Sequence, residues 1–156
     1  TTDFIFGAST CWFEDCTILS KKNSYVTAAS TPENEEFGYV FNNCRLIHNE
    51  EAQKVYLGRP WRSFAKTVFI NCHLGDHILA EGWHNWNKPY AEKTAFYAEY
   101  GSKGPGAASE GERVRWSHTL KTKDLKKYTP QNVLQCGSEQ DKHGKDVKTE
   151  WYFKVF

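Results

Sequence analysis

Asp3 and Arg59 are the residues in this chain whose types and settings point to chemistry. Asp3 opens the apolar run Asp3-Phe4-Ile5-Phe6. A carboxylate in a hydrophobic strand is costly unless it is paired or put to use. Arg59 lies in Leu57-Gly58-Arg59-Pro60-Trp61-Arg62. Gly58 and Pro60 predict a stiff bend at a strand end, holding Arg59 where it can clamp an anion, with Trp61 beside it. Singly, each is unremarkable: an acid in a turn or cap, an arginine in solvent. Side by side they make a site, because the guanidinium keeps the carboxylate ionised. Other chemistries find less support. His73 and His77 are four apart, a spacing that zinc sites use on helices, but the region reads as strand and turn, and no metal is expected there. The Gly-x-Ser-x-Gly elbow of a serine esterase is absent, as is any Cys-x-x-Cys pair.

The elements that must bring Asp3 to Arg59 are read from a repeat. Phe13-Glu14-Asp15-Cys16-Thr17-Ile18, Phe41-Asn42-Asn43-Cys44-Arg45-Leu46 and Phe69-Ile70-Asn71-Cys72-His73-Leu74 share one pattern, Phe-x-(Asp/Asn)-Cys-x-(Ile/Leu), at a 28-residue period. A fixed period in this range marks a solenoid, whose repeats bury their apolar faces only by stacking. Gly38–Phe41, Lys66–Phe69 and Ala95–Ala98 read as strands, as do Phe4–Phe6, Tyr25–Ala28 and Val55–Leu57. Each repeat thus holds at least two strands and no convincing helix, which favours a parallel β-helix over a leucine-rich repeat. Phe96 follows Phe69 by 27 positions and suggests a fourth coil. Asp3 and Arg59 then sit two coils apart, roughly 10 Å at the backbone. The strand between them offers the small residues Thr27 and Ala28.

The pattern stops after about Arg115. Thr122–Lys127 predicts a short helix, capped by Thr122 and closed by Pro130, that shields the open end of the solenoid. Residues 1–134 therefore read as coils plus cap. Residues 135–156 form an unassigned tail, with a packed final strand expected from Trp151, Tyr152, Phe153 and Phe156. The chain opens inside a β-rich run and has no Met, so further coils are expected ahead of it.

A net charge of +1 with 25% charged residues gives no basic footprint for nucleic acid. No apolar run approaches the ~20 residues of a membrane span. Fifteen per cent of residues are aromatic, many in polar settings such as Trp83-His84-Asn85-Trp86, which suits sugar rings or the plugs of wide solenoid turns. Cys16, Cys44 and Cys72 are expected to stack as buried thiols; Cys11 and Cys136 lie outside that ladder and leave a disulfide open.

These segments also carry a family resemblance. Thr2-Asp3-Phe4-Ile5-Phe6-Gly7 resembles the Gly-Thr-Val-Asp-Phe-Ile-Phe-Gly motif of pectin methylesterases. Tyr25–Ala28 with Gly38–Cys44 is similar to the family's next block, and Tyr56-Leu57-Gly58-Arg59-Pro60-Trp61 resembles its most diagnostic one. Gly82–Trp86, Ala98–Tyr100, Gly104–Ala107 and Arg113–Trp116 follow in the family's order, so the resemblance covers about residues 1–134. It implies a right-handed parallel β-helix, secretion to the cell wall or periplasm, and hydrolysis of the methyl esters of galacturonate in pectin. It implies Asp3 as nucleophile, Arg59 as the residue that orients it and also contacts substrate, and Trp61, Phe6 and Trp86 as substrate-binding aromatics. It implies a second Asp as general acid and glutamines for the oxyanion, with no metal or cofactor.

That acid and those glutamines belong to a Gln-Asp-Thr-Leu type motif upstream of the nucleophile, and this sequence contains no such motif. The 156 residues alone are therefore expected to be inactive or nearly so. The missing half, or a second copy, is expected to pair through the open end of the β-helix. Two other readings stay open. A pectate lyase would share the fold but need clustered acids for calcium, and Glu33, Glu35 and Glu36 lie in a loop. A non-catalytic sugar-binding solenoid would keep Trp61, Trp83 and Trp86 without requiring Asp3 or Arg59.

Overall fold

The computed structural model describes residues 3–109, 111–134, 139–140 and 146–147. The expected packed strand of the tail, residues 151–156, and Cys136 lie outside the described residues.

Among the described residues thirteen strands run in chain order. Nine form three full coils: β1 (Asp3–Gly7), β2 (Cys11–Glu14) and β3 (Thr17–Ser20); β4 (Tyr25–Ala29), β5 (Tyr39–Asn42) and β6 (Arg45–His48); β7 (Tyr56–Pro60), β8 (Lys66–Ile70) and β9 (His73–Leu74). β10 (Phe96–Tyr100) and β11 (His118–Thr119) extend the stack, while β12 (Glu139–Gln140) and β13 (Asp146–Val147) form a separate antiparallel pair. The coils stack into three parallel sheets: β1-β4-β7, β2-β5-β8-β10-β11 and β3-β6-β9. This is the parallel β-helix expected. Each full coil holds three strands, where the residues alone indicate at least two.

The 28-residue period belongs to the second and third sheets. Cys11, Tyr39 and Thr67 pair in one ladder, and Thr17, Arg45 and His73 in another. In the first sheet the partners Asp3, Tyr25 and Tyr56 are 22 and then 31 residues apart. Loop length between coils varies there, and only the backbone ladder keeps register.

Each position of the repeated motif has a physical job. Phe13, Phe41 and Phe69 stack inside the coils with centroids 4.5 Å apart at each step. Asp15, Asn43 and Asn71 occupy the corner between the second and third sheets with φ of +51° to +54°. Asn and Asp tolerate that left-handed geometry better than other side chains. Gly101, at φ +61°, takes the next place in this column: a Cβ there would lie 2.5 Å from Asn71 Oδ1. Cys44 and Cys72 are fully buried, and Cys16 is half-buried. The Cys44 thiol beside it, with burial, raises the Cys72 thiol out of the reactive range. Cys11, Cys16, Cys44 and Cys72 are free thiols.

The fourth coil differs from the sequence expectation in register. Phe96 pairs with Lys66, and Glu99 holds the place opposite Phe69. The aromatic column is continued instead by Trp83 and Tyr97, whose rings lie 4.4 Å apart.

The C-terminal helical segment is present but covers a side of the solenoid, not its end. Leu120 and Val133 cluster with Phe37, Val40, Val68 and Ile70 on the outer face of the second sheet. Burying that sheet on both faces accounts for its apolar outward residues. Thr122 begins a 3-10 turn, Thr122–Lys127, and does not cap it; Asp124 accepts the backbone N–H of Lys121 at 2.8 Å. Pro130 likewise starts a helical turn, α1 (Pro130–Val133), which Thr129 caps by accepting from Asn132 N. Among the described residues no helix is long and apolar enough to cross a membrane.

Candidate active site

In the first sheet Phe6, Ala28 and Arg59 fall in one register across β1, β4 and β7. Neighbours in a strand point to opposite faces. Thr27 accordingly turns inward, donating its hydroxyl to Leu57 O at 2.9 Å. Of the two small residues expected between Asp3 and Arg59, only Ala28 shares the arginine's face. Gly58 also serves the interior: a Cβ there would meet Thr27 Oγ1 at 2.2 Å and the Trp83 ring at 3.2 Å. The strand runs on through Arg59 to Pro60, so the expected bend falls after Pro60.

Arg59 and Asp3 meet as a bidentate ion pair. Nε donates to Oδ1 at 2.8 Å and Nη2 to Oδ2 at 2.5 Å. The side chains are 5% and 10% exposed, so water screens the pair little. Charge-assisted fork geometry is the strong form of this interaction and fixes the carboxylate's orientation. The third arm, Nη1, is buried without a partner among the described residues.

Aromatic rings surround the guanidinium. Its carbon lies 3.5 Å from the Trp86 ring centroid, 5.3 Å from Tyr25 and 5.6 Å from Trp61. Phe6 and Trp61 stack at 6.0 Å and 21°. Phe6 is 64% exposed, Trp86 42% and Trp61 39%. Large rings left this open beside a nearly buried ion pair form an apolar surface with one charged spot. The structure thus brings together all five expected site residues: Asp3, Arg59, Trp61, Phe6 and Trp86. Trp83 does not join them. It is 1% exposed and packs on Phe69 and Tyr97 in the core.

Sequence reasoning passes over several neighbours. Trp86 and Asn87 hold φ of +52° and +58° in the loop after Trp83. Lys88 ties that loop down by donating to Trp61 O at 2.7 Å, and its ammonium lies 4.7 Å from the Trp86 ring. Burial, with Arg59 and Arg62 nearby, pushes the Lys88 pKa down. Tyr25, Tyr56 and His84 stack together, and Tyr25 Oη lies 2.9 Å from His84 Nδ1. Burial, then the Tyr56 phenol, raises the Tyr25 pKa, while Arg59 works against them. The residues are twenty or more positions apart, so only the strand register reveals the group.

Arg113 and Glu99, both in motifs noted above, pair at 2.6 Å. Arg113 also donates to the carbonyls of Leu79, Ala80 and Gly106. It therefore pins two loops of the last coil, one at Leu79 and Ala80 and one at Gly106. Glu33, Glu35 and Glu36 are exposed, and Glu36 pairs with Lys127 at 2.8 Å. They do not approach one another as calcium ligands among the described residues.

Fold and site together define a parallel β-helix protein with an arginine-clamped carboxylate beside exposed aromatic rings. The chain belongs to the pectinesterase family, whose model matches residues 1–137. It is 38% identical over 155 residues to a probable pectinesterase/pectinesterase inhibitor 64 of Arabidopsis thaliana, covering 86% of this chain and 26% of that protein. Its fold is similar to a pectin methylesterase from carrot, with a TM-score of 0.78 and 30% identity, covering 86% of this chain and 46% of that one. A pectin methylesterase solved in complex with a hexasaccharide matches with a TM-score of 0.71 at 28% identity, covering 86% and 48%. The chain thus spans about a quarter of that curated relative and under half of the solved enzymes.

Proposed function

We propose that this chain supplies the nucleophile side of a pectin methylesterase active site. An Asp3 carboxylate oxygen attacks the C6 carbonyl carbon of a methyl-esterified galacturonate. The C–O bond to the methoxy group breaks, and methanol leaves with a proton from a second acid. The product is an anhydride between Asp3 and the galacturonate carbonyl. Water, deprotonated by the same second group, opens it to free carboxylate and Asp3. Arg59 aims Asp3 at the ester carbonyl through its paired hydrogen bonds. Phe6, Trp61 and Trp86 present flat apolar faces to the polymer. No metal or cofactor enters this scheme.

The observation that carries the reading is the bidentate, nearly buried Asp3–Arg59 pair opening onto exposed aromatic rings. The lyase alternative lacks calcium ligands among the described residues, and a pure binding module has no need of the pair. The second acid and the oxyanion donors come from coils carrying a Gln-Asp-Thr-Leu type motif, on the same polypeptide or on a separate one docked at the coil end. Family likeness supports a place outside the cell, in the wall or periplasm.

Methanol release from highly methylated homogalacturonan tests the reading, with this sequence joined to the upstream coils. Turnover that Asp3→Asn abolishes while polymer binding persists supports it. Turnover that survives Asp3→Asn overturns it. The 156 residues alone are expected to bind polymer and release little or no methanol.

A further inference from the structure

Three donors gather at the turns that lead out of the third sheet: His48, at the end of β6, and Asp76 and His77, just after β9. One ligand atom from each lies within 4.8 Å of the others. Their hydrogen bonding is unfinished in two ways. His77 is 1% exposed, yet neither ring nitrogen has a partner among the described residues. Buried polar atoms are almost always satisfied, so an imidazole orphaned at both nitrogens calls for a ligand. His48 faces two acceptors: Nδ1 lies 2.8 Å from Asn49 O, and Nε2 lies 2.8 Å from Asp76 Oδ1. A neutral imidazole has one N–H to give. With Nδ1 donating to Asn49 O, the Nε2 lone pair points at a carboxylate, an arrangement that a cation between them resolves.

We infer that His48, Asp76 and His77 form a binding site for a zinc-class divalent metal ion. Two imidazole nitrogens and one carboxylate oxygen are a borderline donor set that suits Zn²⁺, and leave a fourth position for water. Bonds of about 2.0–2.2 Å place donors about 3.4 Å apart in a tetrahedron. His48 Nε2 and Asp76 Oδ1, 2.8 Å apart, must therefore open slightly to admit the ion, while the widest of the three separations, up to 4.8 Å, must close. Asp76 is 73% exposed and the His48 side chain 23%, so both can move, while the buried His77 provides the fixed point. The His48–Asn49 hydrogen bond orients the ligating ring in the manner usual for metal-bound histidine.

The consequence is structural. His77 O accepts the backbone N–H of Val55 at 2.8 Å, and Val55 bridges to Ile78 just ahead of β7. The ion would tie the second coil to the third at the turn that feeds the strand bearing Arg59. His73 takes no part: it pairs with Arg45 in the third sheet and is exposed.

The test uses the 156-residue protein, metal-free and with thiols reduced. Zn²⁺ affinity is read by competition with a chromogenic chelator, and the donor set by Co²⁺ absorption. The expected result is one tight equivalent, a raised unfolding temperature, and a Co²⁺ spectrum without a sulfur-to-metal charge-transfer band. His48→Gln and Asp76→Asn, both at accessible positions, each weaken binding at least about tenfold, while His73→Gln leaves it unchanged. No binding, binding that both variants retain, or a thiolate band that places the ion on cysteine would each overturn the inference. Circular dichroism of each variant separates lost ligation from lost folding.

Discussion

Arg59 grips Asp3 with two hydrogen bonds although the sheet registers it with Phe6, three residues further along the strand. The guanidinium therefore runs back along the sheet, against the Trp86 ring, to reach the acid. Arg59→Lys keeps the charge but loses both the fork and the stacking over Trp86. In a protein that also carries the upstream coils, methanol release is expected to fall about 100-fold, the usual effect of a misplaced reacting group. Arg59→Ala leaves a nearly buried carboxylate without its partner. Breaking a buried pair costs about 3–5 kcal/mol, and removing both partners costs less. Thermal unfolding of Arg59→Ala and of Asp3→Asn/Arg59→Ala measures this. A double variant no more stable than the single one would contradict a strained, unpaired acid.

Gly58 and Thr27 meet inside the coil behind the site. A Cβ at residue 58 would lie 2.2 Å from Thr27 Oγ1, so Gly58→Ala forces the threonine or the strand to move. Overpacking of this kind costs about 1–3 kcal/mol. Thr27→Ala removes the obstructing hydroxyl, so Gly58→Ala should cost less in that background. A double-mutant cycle by urea denaturation reads the coupling directly, and strict additivity would show that the clash is not with Thr27.

The parts legible in the sequence are those where one residue type answers one physical demand. The left-handed corner needs Asn, Asp or Gly, and the column Asp15, Asn43, Asn71 meets that demand at fixed spacing. Stacked rings need Phe at the same height in each coil, and Phe13, Phe41 and Phe69 supply it. The Asp3–Arg59 pairing is legible because an acid inside an apolar strand and an arginine held between Gly58 and Pro60 each call for a partner of opposite charge. The third sheet is not. Its strands, such as Thr17–Ser20, are four residues or fewer and begin within the motif itself. Trp83 and Trp86 look alike in sequence, three residues apart, yet one is core and one lies exposed against Arg59. Trp83 packs into the coil interior, whereas left-handed turns at Trp86 and Asn87 carry the chain back over Arg59. The His48–Asp76–His77 group arises from two coils 28 residues apart, so no local spacing announces it.

Tyr39 ties the two leading sheets together. It is 2% exposed and donates its hydroxyl to Gly7 O at 2.9 Å, at the end of the strand bearing Asp3. Burial, with Cys11 nearby, pushes its pKa up to about 12. The folded state then keeps the proton after the unfolded chain, with a phenol near 10, has released it. Above pH ~10 the unfolded state binds fewer protons, so stability falls as pH rises toward 12. Two pKa units set a ceiling of about 2.7 kcal/mol on this loss. Tyr39→Phe should lower stability at neutral pH by about 1 kcal/mol, through the lost hydrogen bond, and flatten the alkaline slope. Urea midpoints between pH 8 and 11 decide it. An unchanged slope in Tyr39→Phe would assign the alkaline loss to other groups.

Asn43 separates the two demands made at the corner column. Its backbone is left-handed, at φ +54°, and its side-chain amide donates to the Asp15 carboxylate. Asn43→Ala loses the amide and also places a Cβ residue with no compensating polar group in that geometry, which costs about 1–2 kcal/mol for the backbone alone. Asn43→Gly loses the same amide but relieves the backbone. Glycine is therefore expected to be the more stable variant, reversing the order found in ordinary strands, where glycine is the worse choice. Urea denaturation of both variants ranks them. If alanine proves the better tolerated, backbone conformation does not account for the Asp/Asn at this place in the repeat, and the side-chain ladder must carry the whole preference.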